Sequence, residues 1–255
     1  MIEIRHLTKL YDSYVAIEDI SFAVESGRIY GLLGPNGAGK STTMNIITGC
    51  LSATAGEVII GGFSIHEQPR QAKKLLGYLP EHPPLYPEMT PQEYLRFVAK
   101  AKEIPSGKIP AQVEYVIKIT QIDSMRHRLI RHLSKGYQQR IGIAQSLLGD
   151  PQFIILDEPM VGLDPMQISE TRDLLLSLKS NHAIILSSHI LSEIQAICDH
   201  VFIISGGKLL ASDTLEGLKA RLFAAPTVHL LLKADESRAR AAISKVEGAV
   251  CQRVE

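Results

Sequence analysis

The chain has 255 residues, 45% of them hydrophobic, with 27 Lys and Arg set against 27 Asp and Glu for a formal net charge of zero. That length holds one large domain, or one large and one small, and the apolar share is enough to build a sizeable core. The charge balance excludes a bulk electrostatic attraction to nucleic acid or to an anionic membrane surface.

In chain order, Ile2–Leu7, Val15–Val24 and Glu57–Ile60 are β-rich pieces, with turns at Ser26-Gly27 and Gly61-Gly62. They predict an antiparallel sheet within Met1–Phe63. Arg28–Leu33 reads as a strand, followed by a glycine-rich turn and a helical pattern over Lys40–Cys50. Leu76–Leu79, Phe153–Leu156, Ala183–Leu186 and Val201–Ile204 are further short apolar runs of the kind that form buried parallel strands, covered by helices on both faces. Helical patterns at Pro165–Lys179 and Ile190–Ile197 follow two of them, which argues for an α/β fold. Pro91–Leu148 is mostly helical and interrupts the strand series as an inserted helical subdomain, about residues 85–150. Its entry, His82-Pro83-Pro84-Leu85-Tyr86-Pro87, is predicted to be an extended loop, because proline excludes helix. After Ala225-Pro226, Thr227–Lys233 reads as a strand, Glu236–Lys245 as a helix and Ala249–Val254 as a strand. This 226–255 βαβ-like segment is too small to fold alone and reads as the opening of an accessory domain, with the main domain at 1–222.

The start of the chain lacks a basic flank followed by an apolar stretch, so no signal peptide is expected. The apolar runs fall far short of the ~18 residues of a membrane span. Three widely separated cysteines, Cys50, Cys198 and Cys251, match no metal-ligand spacing and suit a reducing compartment. The expected location is cytoplasmic.

Gly34-Pro35-Asn36-Gly37-Ala38-Gly39-Lys40-Ser41 fits the phosphate-loop pattern G-x-x-x-x-G-K-[ST], between a predicted strand and a predicted helix. Glycines let successive N–H groups point at phosphate oxygens, and the helix start adds the positive end of its dipole. Lys40 would reach the β and γ phosphates, and the Ser41 hydroxyl would ligate Mg²⁺. At average composition a chance match in a chain of this length is on the order of one in a hundred. Phe153-Ile154-Ile155-Leu156-Asp157-Glu158 places two carboxylates at a strand end, where ligands of open α/β sheets lie. Asp157 would hold Mg²⁺ and Glu158 would orient or deprotonate an attacking water. Ser187-Ser188-His189 ends another strand, which places His189 on the same sheet edge. Leu133-Ser134-Lys135-Gly136-Tyr137-Gln138-Gln139-Arg140 opens a helix for which Ser134 is a good N-cap, and Gly136 would let an anion approach the helix start.

Together, over roughly residues 1–220, these segments resemble the ATP-binding cassette (ABC) ATPases. The fold implied is a P-loop nucleotide-binding domain with an antiparallel β subdomain, a RecA-like parallel-sheet core and an inserted helical subdomain. Residues 34–41 look like the Walker A loop, and residues 153–158 like Walker B with its catalytic glutamate. Val161-Gly162-Leu163-Asp164 resembles the D-loop, and His189 the switch histidine. Leu133–Arg140 takes the place of the family signature, with Lys135 and Tyr137 departing from the usual Gly and Gln. Gly77-Tyr78-Leu79-Pro80-Glu81 resembles the Q-loop segment, with Glu81 where Gln is usual; a carboxylate is also a hard ligand for Mg²⁺.

The resemblance implies ATP contacts from Tyr11 (on the adenine), Gly34, Pro35, Asn36, Gly37, Ala38, Gly39, Lys40, Ser41 and Thr42, with Ser134, Gly136 and Asp164 completing a site across a pair. It implies Mg²⁺ ligation by Ser41, Glu81 and Asp157, and catalysis by Glu158 and His189. It further implies a head-to-tail pair with a second ATPase subunit, identical or not, and docking through the helical subdomain to integral membrane subunits. The chain would then lie peripherally on the cytoplasmic face of the membrane, with Leu85, Tyr86 and Met89 as exposed apolar contacts. Glu81, the Lys135-Gly136-Tyr137 signature and the βαβ-like tail resemble most the ATPases of ABC-2-type exporters, including the gliding-motility-associated kind. A soluble ABC ATPase acting on nucleic acid or ribosomes is disfavoured, since the chain has one cassette and no heptad run interrupts it. The presence of Glu158 and His189 speaks against a module that only holds ATP, and no Asn-Lys-x-Asp segment exists to read guanine. No nucleic-acid partner is expected.

Overall fold

The computed structural model describes residues 1–222, 235–243 and 246. In chain order the elements are β1 (Ile2–Tyr11), β2 (Tyr14–Val24), β3 (Ile29–Leu33), α1 (Lys40–Ile47), β4 (Ala55–Ile60), β5 (Phe63–Ser64), α2 (Pro69–Lys74) and β6 (Leu76–Leu79). They continue with α3 (Pro91–Ala101), α4 (Ile109–Ile119), α5 (Lys135–Leu147), β7 (Phe153–Leu156), α6 (Pro165–Leu178) and β8 (Ala183–Ser188). Then come α7 (Leu191–Ile197), β9 (His200–Ser205), β10 (Lys208–Thr214), α8 (Leu215–Leu222) and α9 (Glu236–Ile243). A first compact unit spans Met1–Gly217 and a second Leu218–Glu255.

The first unit holds two sheets. One is antiparallel, in the order β2-β1-β4-β5; the other has six strands in the order β10-β9-β3-β8-β7-β6. In the second sheet β9, β3, β8, β7 and β6 run parallel, and β10 is antiparallel at its edge. The expected α/β core with an antiparallel companion is therefore present. Every residue of β7 and β8 is buried, which is why those runs are apolar without alternation. Between the two sheets Ile2, Leu7, Ile20, Leu32, Met44, Ile47, Ile60, Phe153, Ile185 and Phe202 form one core. Met44 and Ile47 of α1 belong to it, so the helix after the glycine-rich turn is fixed by packing.

Several expected boundaries move, each for a local reason. β1 runs on to Tyr11 because the β1–β2 ladder shifts register around His6 and Asp19, both at φ 50°. Such bulges invert the inside–outside alternation on which a sequence pattern relies. α1 ends at Ile47, where the Thr48 hydroxyl turns back to the Met44 carbonyl at 2.9 Å and Gly49 takes φ 66°. α2 and β10 escape sequence reading, since α2 buries only Ala72 and β10 is half exposed along its length.

The predicted helical insertion lies between β6 and β7, as the three helices α3, α4 and α5 with short 3₁₀ turns at Asp123–Met125 and Ile130–His132. Thr90 and Glu93 form a reciprocal capping box at the start of α3. Arg126 ties the insertion together, donating to Gln92, Glu114 and Asp123 at 2.9 Å each. Lys102 donates to the Leu148 and Gln145 carbonyls at 2.8 and 3.1 Å, and so caps the end of α5 from a neighbouring helix. The proline-rich loop before α3 is free of helix. Of its apolar residues Tyr86 is exposed, whereas Leu85 and Met89 are half-buried.

In the second unit α9 begins after Asp235, whose Oδ1 accepts from the Arg238 N–H at 2.9 Å. The strands expected at residues 227–233 and 249–254 lie outside the described residues. No helix among the described residues is long and apolar enough to cross a membrane.

Candidate active site

β3 lies between β8 and β9, and at its carboxyl end the chain turns through residues 34–39 into α1. Glycine is required at two of those positions. A Cβ on Gly34 would run into the Ile204 carbonyl oxygen of β9. Gly39 combines φ 105° with an Ala16 carbonyl oxygen 2.8 Å from where a Cβ would stand. α1 then starts with no side-chain cap and no acidic residue in its first turn, leaving its leading N–H groups for an anion. Lys40 is buried; its Nζ donates to the Gly34 and Pro35 carbonyls at 2.8 and 3.3 Å and lies 3.5 Å from Glu158 Oε1.

β7 delivers the two carboxylates and β8 the groups that hold them. Asp157 and Glu158 are both buried, at 3% and 8% exposure, where an uncompensated charge would be costly. Ser187 compensates Asp157 and steadies the Glu158 backbone, while Lys40 and His189 meet the Glu158 carboxylate. The fully buried Ser187 donates through Oγ to Asp157 Oδ1 at 2.6 Å and accepts from the Glu158 N–H at 2.8 Å. Glu158 takes φ 47°, a backbone conformation that persists only where its surroundings over-determine it. Its carboxylate reaches Lys40 on one side and accepts from His189 Nδ1 at 3.1 Å on the other. Behind the site burial, reinforced by the Asp157 charge, pushes the Tyr78 phenol well above its usual range; it donates to Asn45 Oδ1 at 2.9 Å.

These elements bound a cleft of about 410 Å³ lined by Tyr11, Tyr14, Ala16, residues 36–42, Glu81, Glu158, Val161 and His189. Of the site residues read from the sequence, Tyr11, Glu81, Glu158, His189 and residues 36–42 thus share one concavity. Gly34 and Pro35 meet it through the carbonyls that hold Lys40. Asp157 is recessed on Ser187. Ser134, Gly136 and Asp164 do not line this cleft. Asp164 is the N-cap of α6, accepting from the Gln167 N–H at 2.9 Å, and the Gln167 side chain lies against Gly136. Ser134 holds the N-cap position of α5 with extended backbone, but its hydroxyl makes no cap hydrogen bond, so the capping expected from its residue type is not made.

Sequence reading gave no site role to Tyr14, Ala16, Val161 and Ser187. Tyr14 is the register partner of Tyr11 across a two-residue turn, and that hairpin is the signal that would have found it. Ser187 stood in the same tripeptide as His189, but nothing in a sequence says which of two adjacent serines faces a carboxylate on the next strand. Chemically, the site offers backbone N–H groups and an ammonium for a polyanion, carboxylates and a hydroxyl for a hard cation, and a Glu–His pair beside the place where a phosphoryl group would lie. The cleft's volume lies within the ~300–1,000 Å³ usual for small-molecule sites.

Comparison with known proteins agrees with this chemistry. The family model described as ABC transporter matches residues 17–161. The bacitracin transport ATP-binding protein BcrA of Bacillus licheniformis is 39% identical over 223 residues, covering 87% of this chain and 72% of that protein. The lantibiotic transport ATP-binding protein SrtF of Streptococcus pyogenes is 35% identical, covering 85% of this chain and 92% of that one. Among solved structures, an ATP-binding subunit of an ABC transporter superposes with a TM-score of 0.80 at 30% identity, covering 89% of this chain and 95% of the other. A second, cbiO1 from Clostridium perfringens, gives 0.77 at 26%, covering 88% and 90%.

Proposed function

The chain belongs to the ABC transporter family as an ATP-binding, ATP-hydrolysing subunit, and we propose that it powers export through separate membrane-spanning subunits. The observation that carries this reading is the convergence of Lys40, Glu158 and His189 on a cleft floored by the N-terminus of α1. The transport role is supported by the bacitracin and lantibiotic transport relatives.

In this reading residues 34–42 cradle the phosphates of ATP and Tyr11 lies on the adenine. Ser41, Asp157 and Glu81 hold Mg²⁺, which supplies charge neutralisation on the phosphate oxygens. The oxygen-rich donor set, two carboxylates and a hydroxyl, fits a hard cation of that kind. Glu158 accepts the proton of the attacking water. His189, bonded to it through Nδ1, keeps that carboxylate turned toward the cleft and leaves Nε2 for the γ phosphate. Lys40 supplies the fixed positive charge against which negative charge develops on the transferring group.

Ser134, Gly136 and Asp164 take the role of completing the site of a second, head-to-tail subunit. Their absence from the chain's own cleft and the uncapped Ser134 hydroxyl support this assignment. Residues 1–222 are then the ATPase domain, with helical residues 85–150 gripping the membrane subunits at the cytoplasmic face, and residues 226–255 form an accessory segment.

Steady-state ATP hydrolysis by the native chain against Glu158→Gln tests the reading. Slow turnover by the native chain, reduced by at least about a hundredfold in the variant with ATP binding retained, is the expected outcome. Equal turnover by the two proteins would remove Glu158 from the chemistry.

A further inference from the structure

The first turn of α5 and the segment that follows Glu158 interlock. Gly136 faces the Gln167 side chain so closely that a Cβ on it would stand 2.6 Å from Cδ and 2.8 Å from Nε2 of that residue. In return Gly162, at φ 71°, lies under Lys135, whose ammonium any Cβ there would strike. One turn further along both helices, Arg140 of α5 pairs with Glu170 of α6. The spacings Gly136/Arg140 and Gln167/Glu170 put these contacts on one face of each helix. Gln167 also closes the capping box of α6. Its N–H donates to Asp164 Oδ1 at 2.9 Å, and its Oε1 accepts from the Asp164 N–H at 3.4 Å.

The segment between Glu158 and α6 is therefore anchored at both ends. At the near end Glu158 donates to Ser187, and the Val161 N–H donates to the Glu158 carbonyl at 3.2 Å. At the far end the anchor is Gln167 on Gly136, and it belongs to the helical insertion. A non-glycine residue at φ 47° needs such anchoring, because its backbone would otherwise relax out of the left-handed region.

We propose that Gln167 is a positioning residue for Glu158: wedged against Gly136, it ties the far end of the 158–164 loop to α5, so the helical insertion sets the carboxylate that acts on water. This rests on the role given to Glu158 above. It also accounts for glycine at 136 within a single chain, since a Cβ there would displace Gln167.

The test uses the full chain with Gln167→Ala, Gln167→Glu, Gly136→Ala and the double variant Gly136→Ala/Gln167→Ala. Amide hydrogen exchange of residues 158–164 without nucleotide is one readout, and steady-state hydrolysis of Mg-ATP is the other. Gln167→Ala should speed exchange in that segment and lower kcat, each by about tenfold, with KM changed less than about twofold. Gln167→Glu keeps both the capping box and the wedge, and should stay within about twofold of native on both readouts. Gly136→Ala pushes the flexible end of Gln167 off its seat, so it should speed exchange up to but not beyond the Gln167→Ala level, and the double variant should match Gln167→Ala. Native protection in Gln167→Ala, or additive effects of Gly136→Ala and Gln167→Ala in the double variant, overturns the proposal. If the native chain shows no turnover, the role of Glu158 falls, while the exchange data still decide whether Gln167 holds the loop.

Discussion

Ser187→Ala removes one hydroxyl that serves two buried groups, and its consequence can be worked from the geometry. The Oγ donates to Asp157 Oδ1 at 2.6 Å and accepts from the Glu158 N–H at 2.8 Å, with Ser187 itself fully buried. A hydrogen bond to a charged acceptor contributes about 1.5–3 kcal/mol net, and an orphaned buried N–H costs about 1–3 kcal/mol. Alanine leaves too little room for a water to serve both groups, so the two losses combine, with some relaxation, to about 2–4 kcal/mol. Against a total stability of about 5–15 kcal/mol that is a large share. Urea titration at neutral pH should show the midpoint falling by that amount at unchanged slope. Because Asp157 and the hydroxyl act on each other, Ser187→Ala and Asp157→Ala together should destabilise by at least about 1 kcal/mol less than the sum of the singles. A Ser187→Ala loss below about 1 kcal/mol, or strict additivity, would refute the claim that this hydroxyl holds the carboxylate strand end together.

Two further outcomes follow from other parts of the fold. Burial pushes the Lys102 ammonium down from 10.5 to about 8, so between those pH values the folded chain binds fewer protons than the unfolded one. Stability should therefore rise with pH from about 8 to about 9, above which the Cys198 thiol, pushed up to about 12 by burial and the Asp199 charge, works the other way; Lys102→Met should abolish the rise in urea midpoints taken between about pH 7.5 and about pH 9. At the mouth of the cleft, Tyr11 and Tyr14 stand exposed on opposite strands of one hairpin. A ring stacked on adenine contributes about 0.5–1.5 kcal/mol, so Tyr11→Ala should weaken ATP binding by about two- to tenfold and leave inorganic triphosphate binding unchanged, read by calorimetric titration.

The site was legible where its chemistry is local in sequence. Residues 34–41 announce the loop because glycine spacing, the lysine and the flanking strand and helix all act within one stretch, and the apolar run before Asp157 and Glu158 fixes the strand that carries them. The parallel sheet was legible because its strands are buried on both faces. What was hidden depends on neighbours distant in the chain. Ser187 matters only because β8 lies beside β7, Gln167 because α6 meets α5, and Tyr14 because a hairpin returns it to Tyr11. The bulges at His6 and Asp19 hid the length of β1, and the half-exposed β10 lacks the apolar run that marked its neighbours. The serine at 134 illustrates the converse: its residue type predicts a cap, yet the hydroxyl is left without that bond.

If the proposed head-to-tail pair forms between identical copies, mixing two defective variants tests it most directly. Lys40→Ala spoils a chain's own phosphate loop, and Ser134→Ala spoils what it offers its partner. In a mixed pair one site takes both defects and the other is whole. An equal mixture should therefore regain about a quarter of native hydrolysis, since about half the pairs are mixed and each has one intact site of two. Turnover no greater than the sum of the two variants measured separately would contradict a head-to-tail pair of identical copies.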